Sequence, residues 1–561
     1  MKFKNNSNIN EMLKKANTIK QKLNIPIPNT AVEILKDLKN QGILGLVVGG
    51  AVRDAILNKP SKDIDIEVYG VDLTTLINFL NKYGKAHLEG KSFGVVKLQD
   101  AAGNDYDFSI PRRDSLVEND PTSDSRGRGI QVELDSNMNP PEAAYRRDFT
   151  INSMAYNPLT EEIYDYYGGM ADLNAGILRA TSDSFSEDPL RVLRGMQFAG
   201  RFNMEVDPET AKLCKSIKNE PLQKDRVREE WMKFLTKSTV PSKGFQYLID
   251  TEWIDNYLEL KDMVGVPQEP EHHPEGSLDI HVGLTMDAAA RISEEKKLDP
   301  TGKAVLIASA LCHDLGKSTT TQEINGKITS YGHHKESARM AKNFLNSIGI
   351  KQDIIEVVIP LVEEHMSHIF FDPDSKKSTI MHLAGKLNNA TIEQLEDVIK
   401  SDMAGRPPLS ADLPEKAKLM ISHAKERGVY VGKVPELISG KDLLSVSPTI
   451  VQSREIGDIL RSVRQEQLKG NIETKNEALD YANKLLQKYF GLINGNDILN
   501  MIDGVGGPVV GQILQEAWQA QLSGKFNNKE DALNWLYSNI YNKRNEFSSA
   551  PDIDSLLESP K

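Results

Sequence analysis

Two separate groups of residues carry the chemistry legible in this chain. The first lies in LVVGGAVRDAILNKPSKDIDIEVYG, residues 46–70. An apolar run leads into Gly49-Gly50, where missing side chains let the backbone approach a ligand closely. AVRDAIL then opens a helix whose N-terminus points N–H groups at an anion. Such a turn suits phosphates, and Arg53 in the first helical turn adds a forked cationic contact. The next strand alternates Asp63, Ile64, Asp65, Ile66, Glu67 and Val68, and period 2 puts the three carboxylates on one face. Same-face carboxylates repel unless a cation lies between them. Mg²⁺, held by one or two carboxylates plus substrate phosphates, is the natural occupant, and two such ions would serve an in-line displacement. Asp107, in DYDFSI, alternates with Asp105 and is a candidate third carboxylate, with a solvent-facing strand Asp as the equal alternative.

The second group centres on AVLIASALCHDLGK, residues 304–317, a buried helix carrying His313 and Asp314 in its last turn. Neighbours on a helix point about 100° apart, so both face one ion only if it sits beside the helix between them. His281, His333, His365 and Asp402 join them, each where a helix begins or passes. A mixed imidazole and carboxylate set suits Mn²⁺, Co²⁺, Ni²⁺ or Fe better than Ca²⁺ or a closed cysteine zinc site. Such an ion activates water against a phosphoester. His272, His334 and His368 read as structural or surface residues.

The elements that must hold these groups exceed one core. The chain has 561 residues, and at roughly 150 residues per domain that is about four domains. Hydrophobic residues make up 39% and charged ones 26%, which excludes a disordered or fibrous chain. The net charge of −12 argues against a surface coated all round in nucleic acid but leaves room for a local basic groove. Two cysteines cannot build a disulfide framework. With no apolar signal segment and no membrane-length apolar run, the expectation is a cytoplasmic enzyme.

Residues 1–30 read as a polar leading helix ended by IPIPNT, and 31–172 as a mixed α/β head with short β-branched strands. The stretch from about 111 to 140 has no legible pattern. From Asp183 helical spacing takes over and strand signals disappear, giving a neck over 173–263. VGVPQEPEHHPEGS, 264–277, is a linker or an ordered lead-in loop to a helical region reaching 425. A tandem repeat follows over 426–545: LISGKDLL at 437–444 recurs as LINGNDIL at 492–499, IGDIL at 456–460 as VGQIL at 510–514, and QLKG at 467–470 as QLSG at 521–524. Residues 546–561 read as a disordered tail.

The 46–70 segment resembles the signature of the nucleotidyltransferase superfamily, in particular the class II tRNA nucleotidyltransferases (CCA-adding enzymes) and bacterial poly(A) polymerases. RRDFTINSMAYNP at 146–158 resembles the family's Arg-Arg-Asp motif, DYYGGMADLNAGILRA at 165–180 its head-to-neck hinge, and SFSEDPLRVLRGMQFAGRF at 184–202 its nucleotide-selecting Glu-Asp-x-x-Arg helix. The resemblance implies that Asp63 and Asp65 hold Mg²⁺ and activate the primer 3′-hydroxyl, and that Gly49, Gly50 and Arg53 meet the triphosphate. It implies that Arg147 touches the nucleotide, steadied by Asp148, and that Asp188 and Arg191 read the Watson-Crick edge of the base. Residues i and i+3 on a helix share a face, with Arg194 one turn on. Where the family often places a further Arg, this chain has Gln197. Arg146 reads as a salt-bridge partner for the head. The middle region resembles the HD phosphohydrolase domain, with HPEGSLDIH at 273–281 as its opening. That likeness implies His281, His313, Asp314 and Asp402 as ligands of one metal, and His333 and His365 as lining or second-metal residues.

The fold class expected is therefore multidomain α+β: a mixed α/β nucleotidyltransferase head, an all-helical neck, a helical HD domain and a helical tandem-repeat end. The function implied is template-independent addition of C, C and A to tRNA 3′ ends from CTP and ATP, with an HD phosphodiesterase or phosphatase activity. Poly(A) polymerase, or a partial enzyme adding only A or only CC, is one alternative. A metal phosphohydrolase with a non-catalytic RNA-binding head is another. Residues 191–237 hold eleven Lys and Arg against seven Asp and Glu, a basic strip where RNA would lie.

Overall fold

The computed structural model describes residues 13, 16–59, 63–89, 94–100, 103, 105–117, 129–217, 222–432, 434–446, 454–490, 492–501, 508–522 and 524–547. The chain forms two compact units, one of residues 1–370 with 393–418, the other of 371–392 with 419–561. Among the described residues no helix is long and apolar enough to cross a membrane.

The head of the first unit has ten strands: β1 (Asn17–Lys20), β2 (Leu44–Val48), β3 (Asp65–Tyr69), β4 (Gly84–Glu89), β5 (Val95–Asp100), β6 (Asp105–Ser109), β7 (Arg112–Val117), β8 (Gly129–Leu134), β9 (Ala155–Asn157) and β10 (Glu162–Asp165). Eight of them form one sheet in the order β1-β10-β9-β2-β3-β6-β5-β4. Only β3 and β6 run parallel in it. Central β2 buries Leu46, Val47 and Val48, and β3 buries Ile66 and Val68 on one face and Glu67 and Tyr69 on the other, so of this strand only Asp65 stays exposed.

Two expectations for the head change. Residues 17–20 are not helical: β1 pairs antiparallel with β10, Ile19 opposite Ile163. A short polar segment with no apolar stripe cannot hold a helix alone, whereas pairing with β10 satisfies its backbone groups. Residues 1–12, 14 and 15 of the expected helix lie outside the described residues. The patternless stretch after 111 contains the β7–β8 hairpin, with Arg112 opposite Leu134; residues 118–128 lie outside the described residues.

From Leu190 the first unit is mainly helical. The neck helices Leu190–Phe202, Lys224–Lys237 and Pro241–Asp250 pack on one another. The approach is closest at Gly195, where a Cβ would sit 2.2 Å from Tyr247 Oη. The strands that were not expected here are minimal: Ile177–Leu178 pairs in parallel with Glu205–Val206, and Gln322–Ile324 forms a hairpin with Lys327–Thr329. Runs of two or three residues are too short for a period to register. The helix Pro300–Cys312 is the centre of the helical domain: Ala304 to Cys312 are all buried. Helices Leu278–Glu295 and Gln352–Glu364 flank it.

The helix Lys377–Leu387 and residues 419–425, read from the sequence as part of the HD region, cluster with the second unit. The reason is packing: a Cβ at Gly385 would lie 2.6 Å from Leu468 Cδ1, and Phe371 meets His423 edge-on at 6.3 Å. The repeat reappears as two copies of one three-helix motif, Gly440–Val446, Arg454–Leu468 and Lys475–Phe490, then Gly495–Met501, Pro508–Leu522 and Lys529–Phe547. Each copy has its own core. Ile438, Leu443, Ile459, Val463, Ile472, Ala478 and Ala482 in the first occupy the places of Ile493, Ile498, Ile513, Ala517, Phe526, Ala532 and Leu536 in the second. The copying extends to a cross-link: Lys475 reaches Asp442 at 2.5 Å as Lys529 reaches Asp497 at 3.0 Å. The final helix runs to Phe547, and the rest of the expected tail lies outside the described residues.

Candidate active sites in the head and the helical domain

Strand register assembles the head site. Val48, the last residue of β2, lies opposite Asp65, the first of β3. The Gly49-Gly50 turn therefore leaves the sheet beside the acidic run. Across the parallel pair, Asp65 faces Asp107 and Glu67 faces Ser109. Asp107 is thus lateral to Asp65, as a third carboxylate requires. Asp63 precedes the strand instead of lying in it. Gly49 has φ +71° and ψ −132°, a conformation open to glycine, and a Cβ there would lie 3.1 Å from Arg147 Nη1. Arg147 reaches over this turn and places Nη2 3.3 Å from Glu67 Oε2, which also accepts from Tyr69 Oη. Glu67 is thereby held by Arg147 and Tyr69, and Asp63, Asp65 and Asp107 are the candidate metal face. Burial, reinforced by the charges of Asp107, Asp63 and Glu67 against the pull of Arg147, raises the Asp65 carboxyl pKa. Among the described residues no three head carboxylates come within 4.8 Å of one another. Mg²⁺ takes only one or two carboxylates when substrate phosphates complete its shell, so the donor set fits it.

Arg53 does not project to the mouth of the turn as expected. Its guanidinium is buried, donates from Nε to Asp54 Oδ1 at 2.8 Å and from Nη1 to Asn152 Oδ1, and stacks over Phe202 at 4.4 Å and Phe198 at 5.2 Å. It lies beneath Gly50, whose Cβ would come 3.4 Å from Nη2. It backs the turn with charge from below. Asp148 likewise steadies a different arginine from the one expected. Its Oδ2 accepts from Arg194 Nε at 2.8 Å, with Arg194 Nη2 at 2.7 Å, and its Oδ1 accepts from Asn152 Nδ2 at 2.9 Å and the Phe149 amide at 2.8 Å. Burial opposes this ionised state, but Arg194 and the hydrogen bonds win and hold the carboxyl at about 2. Arg53, Asn152, Asp148 and Arg194 thus form one chain of contacts from the Gly-Gly turn to the first neck helix, with Phe198 beneath both arginines.

The Asp188–Arg191 pair is also rearranged. Asp188 has an extended backbone and precedes the helix, so the i, i+3 argument does not apply. Its Oδ1 accepts from the Leu190 amide at 3.1 Å and its Oδ2 from Arg226 Nη2 at 2.7 Å. Arg191 is buried and donates to the Ser184 and Arg146 carbonyls at 2.7 and 3.0 Å, the second of which ties the neck to the head. Arg146 pairs with Glu187 at 2.7 Å. Gln197 is buried, with no hydrogen-bond partner for Oε1 among the described residues. Arg226, which the sequence reading passed over, is the neighbour Asp188 meets. Most basic residues of the strip are ion-paired among the described residues: Lys212–Glu209, Arg228–Asp225 and Lys233–Glu230 within it, and Arg194–Asp148, Arg201–Asp54, Lys215–Glu252 and Arg226–Asp188 to carboxylates outside it.

The structure brings the six candidate residues of the second site together, but it groups Asp314 with His333 and His365 instead of with His281, His313 and Asp402. The end of the central helix delivers His313 and Asp314 to its middle. His281 Nε2 lies 3.2 Å from His313 Nε2 and 3.3 Å from Asp402 Oδ1. On the other side, Asp314 Oδ1 lies 3.2 Å from His333 Nε2 and 3.7 Å from His365 Nε2. These are two three-ligand sets, with Asp314 Oδ2 3.2 Å from His313 Nε2 and so positioned between them. Both are buried. His313, His333 and His365 each direct Nδ1 to the carbonyl three residues back, Ala310, Ser330 and Val362, at 2.8, 2.8 and 2.7 Å. That fixes the tautomer with a bare Nε2 facing inward. His333 Nε2 and Asp314 Oδ1 have no hydrogen-bond partner among the described residues. Buried lone pairs facing one another are costly without a shared cation, so these residues fit a transition metal. Burial lowers His365 to about 3, and it lowers His333 as well. Burial would also lower His281, but Asp402 and Glu275 lift it to about 9. Asp314 is held well below the carboxylate range by His313 and Lys317 against burial. Lys317 Nζ sits 2.7 Å from Asp314 Oδ2. Lys317 and Glu275 were not singled out from the sequence; the signal lay in HDLGK and HPEGS, one turn from recognised ligands. His368 is buried, and its Nδ1 meets the His365 carbonyl at 3.2 Å.

Fold and sites together define a nucleotidyltransferase head joined through a helical neck to an HD-type metal-binding domain. Family profiles agree: the poly A polymerase head domain matches residues 46–179 and the HD domain residues 278–390. The chain belongs to the CCA-adding tRNA nucleotidyltransferase family. A multifunctional CCA protein of Xanthomonas campestris pv. campestris (strain B100) is 30% identical over 432 residues, covering 74% of this chain and 96% of that protein. One from Xanthomonas oryzae pv. oryzae (strain MAFF 311018) is 31% identical with the same coverage. A solved CCA-adding enzyme in complex with ATP shares the fold at a TM-score of 0.50 and 19% identity, over 85% of this chain and 97% of that one.

Proposed function

We propose that this chain adds C, C and A to tRNA 3′ ends from CTP and ATP, releasing pyrophosphate. The observation that carries the reading is the register placing Asp65 opposite Asp107 and beside the Gly49-Gly50 turn, in a chain related to CCA proteins along most of its length. Asp63 and Asp65, with Asp107, would hold Mg²⁺, which supplies charge neutralisation at the triphosphate and acidifies the primer hydroxyl. The turn directs helix N-terminal N–H groups at the phosphates, and Arg147 is the cation above them. Arg194, held by Asp148, and Asp188, held by Arg226, form the wall against which a base is selected.

The working division is a head over 31–172, a neck over 173–263, an HD region beginning at 264 and the repeats over 426–545. Two buried free cysteines accord with a cytoplasmic site of action. The inward Nε2 atoms and the unpartnered Asp314 Oδ1 support a second activity in the HD domain, hydrolysis of phosphoesters at RNA ends. His281, His313, Asp314 and Asp402, with His333 and His365, would hold Mn²⁺, Co²⁺, Ni²⁺ or Fe there, a Lewis acid that acidifies water.

The test supplies tRNA lacking its end, and tRNA ending in CC, with CTP, ATP or both. Ordered addition that stops at CCA supports the reading. Unlimited A tails would instead make the chain a poly(A) polymerase, and no incorporation with Mg²⁺ present, beside robust phosphodiesterase activity, would refute transfer in the head.

A further inference from the structure

Four histidines turn Nε2 into the HD centre, and one of them is anchored differently. His313, His333 and His365 use backbone carbonyls behind them. His281 also has a carbonyl near Nδ1, that of Gly405 at 3.3 Å, but places the same atom closer, 2.8 Å, to the Glu275 carboxylate, a charged acceptor carried by the lead-in loop before the domain. The same oxygen, Oε1, lies 2.9 Å from His273 Nδ1. The Glu275 side chain is 1% exposed, and Oε2 has no hydrogen-bond partner among the described residues. Donors and acceptors close consistently: Lys317 Nζ, 2.7 Å from Asp314 Oδ2, donates to His273 Nε2 at 3.3 Å and to Gln268 Oε1 at 3.0 Å. His273 Nδ1–H then points to Glu275. Of the two readings of 264–277, linker or ordered lead-in loop, the second holds here: the loop ties into the metal face through one buried carboxylate.

We propose that Glu275 is a positioning residue of the HD centre: its buried carboxylate holds His281 Nδ1 and so turns Nε2 to the metal face, and the His281–His313–Asp402 set therefore takes a divalent transition metal more tightly than the Asp314–His333–His365 set. The physical ground is that a carboxylate behind a ligating imidazole raises its basicity more than a neutral carbonyl does. The inference rests on the reading of this domain as a metal centre.

The test titrates Co²⁺ into the full chain in an Asp65→Ala background, which removes a head carboxylate, and follows the visible d–d absorption. Wild-type Glu275 is expected to give a tight and a weaker binding phase. Glu275→Gln is expected to weaken the tight phase about 10- to 100-fold and shift its band, Glu275→Asp to recover part of the affinity, and His365→Ala to remove only the weaker phase. CTP incorporation into tRNA by Glu275→Gln in the otherwise native chain reports that it is folded. A tight phase within threefold of wild type in Glu275→Gln, or an equal loss in both phases, overturns the proposal. Failure of the unsubstituted centre to bind Co²⁺ at all would instead overturn the metal-centre reading beneath it.

Discussion

Replacing Asp148 with Asn tests whether one carboxylate fastens the head to the neck. Asp148 is 7% exposed, bonds Arg194 from the neck and Asn152 from the head, and holds its proton at about 2 against an ordinary 3.8. At 1.36 kcal/mol per pKa unit, that difference is about 2 kcal/mol in favour of the ionised form in the folded state. Asn keeps the shape and loses the charge, leaving the Arg194 guanidinium facing an amide. Breaking such a pair from one side adds the cost of an uncompensated partner, so the expected loss at pH 7 is about 2–4 kcal/mol. The sign with pH follows from linkage. The folded value is depressed, so the stabilisation is fully present above the unfolded value near 4 and disappears as pH falls toward about 2. Urea unfolding followed by tryptophan fluorescence reads this directly in a chain with Trp518 and Trp535 replaced by Phe, because Trp231 and Trp253 are both buried in the neck. Asp148→Asn, Arg194→Met and the double variant complete a cycle, with an expected coupling of about 1–3 kcal/mol. Coupling below about 0.5 kcal/mol, or an Asp148→Asn deficit as large at pH 3 as at pH 7, would refute the account.

Further outcomes follow from the same contacts. Asp63→Ala should abolish CTP and ATP incorporation and spare phosphodiesterase activity, and Asp314→Ala should do the reverse; loss of both in either folded variant would contradict separable sites. Gly49→Ala, forced into φ +71° with its Cβ 3.1 Å from Arg147 Nη1, should reduce incorporation strongly and cost about 1–3 kcal/mol in a denaturant melt. Arg226→Met, which frees Asp188 Oδ2, should change the ratio of CTP to UTP incorporation more than the KM for triphosphate. Adding Co²⁺ at about 100 times its Kd should stabilise the first unit by about 2.7 kcal/mol, and a chelator should reverse the shift in melting temperature.

The sequence showed the sites wherever chemistry repeats at short range. Asp65 and Glu67 alternate on β3 because a strand has period 2, and Gly49-Gly50 marks a turn only glycine adopts there. The six residues that meet in the HD centre were legible as rare residue types near helix boundaries, four as ligands of one metal and His333 and His365 as lining or second-metal residues, but their division into two sets was not. What was not legible depends on long-range partners. Arg53 reads as a phosphate contact from its place in the helix, yet Asp54, Asn152, Phe198 and Phe202 draw it inward, two of them about 150 residues away. Asp188 reads as helical because three residues separate it from Arg191, but Pro189 takes the N-cap and leaves it outside. Glu275 sits in a Pro- and Gly-containing stretch that reads equally as linker or ordered loop, and its contacts with His273 and His281 decide for the loop. β1 was missed because its evidence is the free edge of β10, 140 residues downstream.

The two copies of the three-helix motif match in core and in cross-link, Lys475 to Asp442 and Lys529 to Asp497. Each copy closes its own apolar centre and ties down its own first helix without borrowing from the other. The second unit is therefore modular, and its length is a variable that duplication or deletion of one motif can change in a single genetic step, with no compensating substitution needed in the copy that remains.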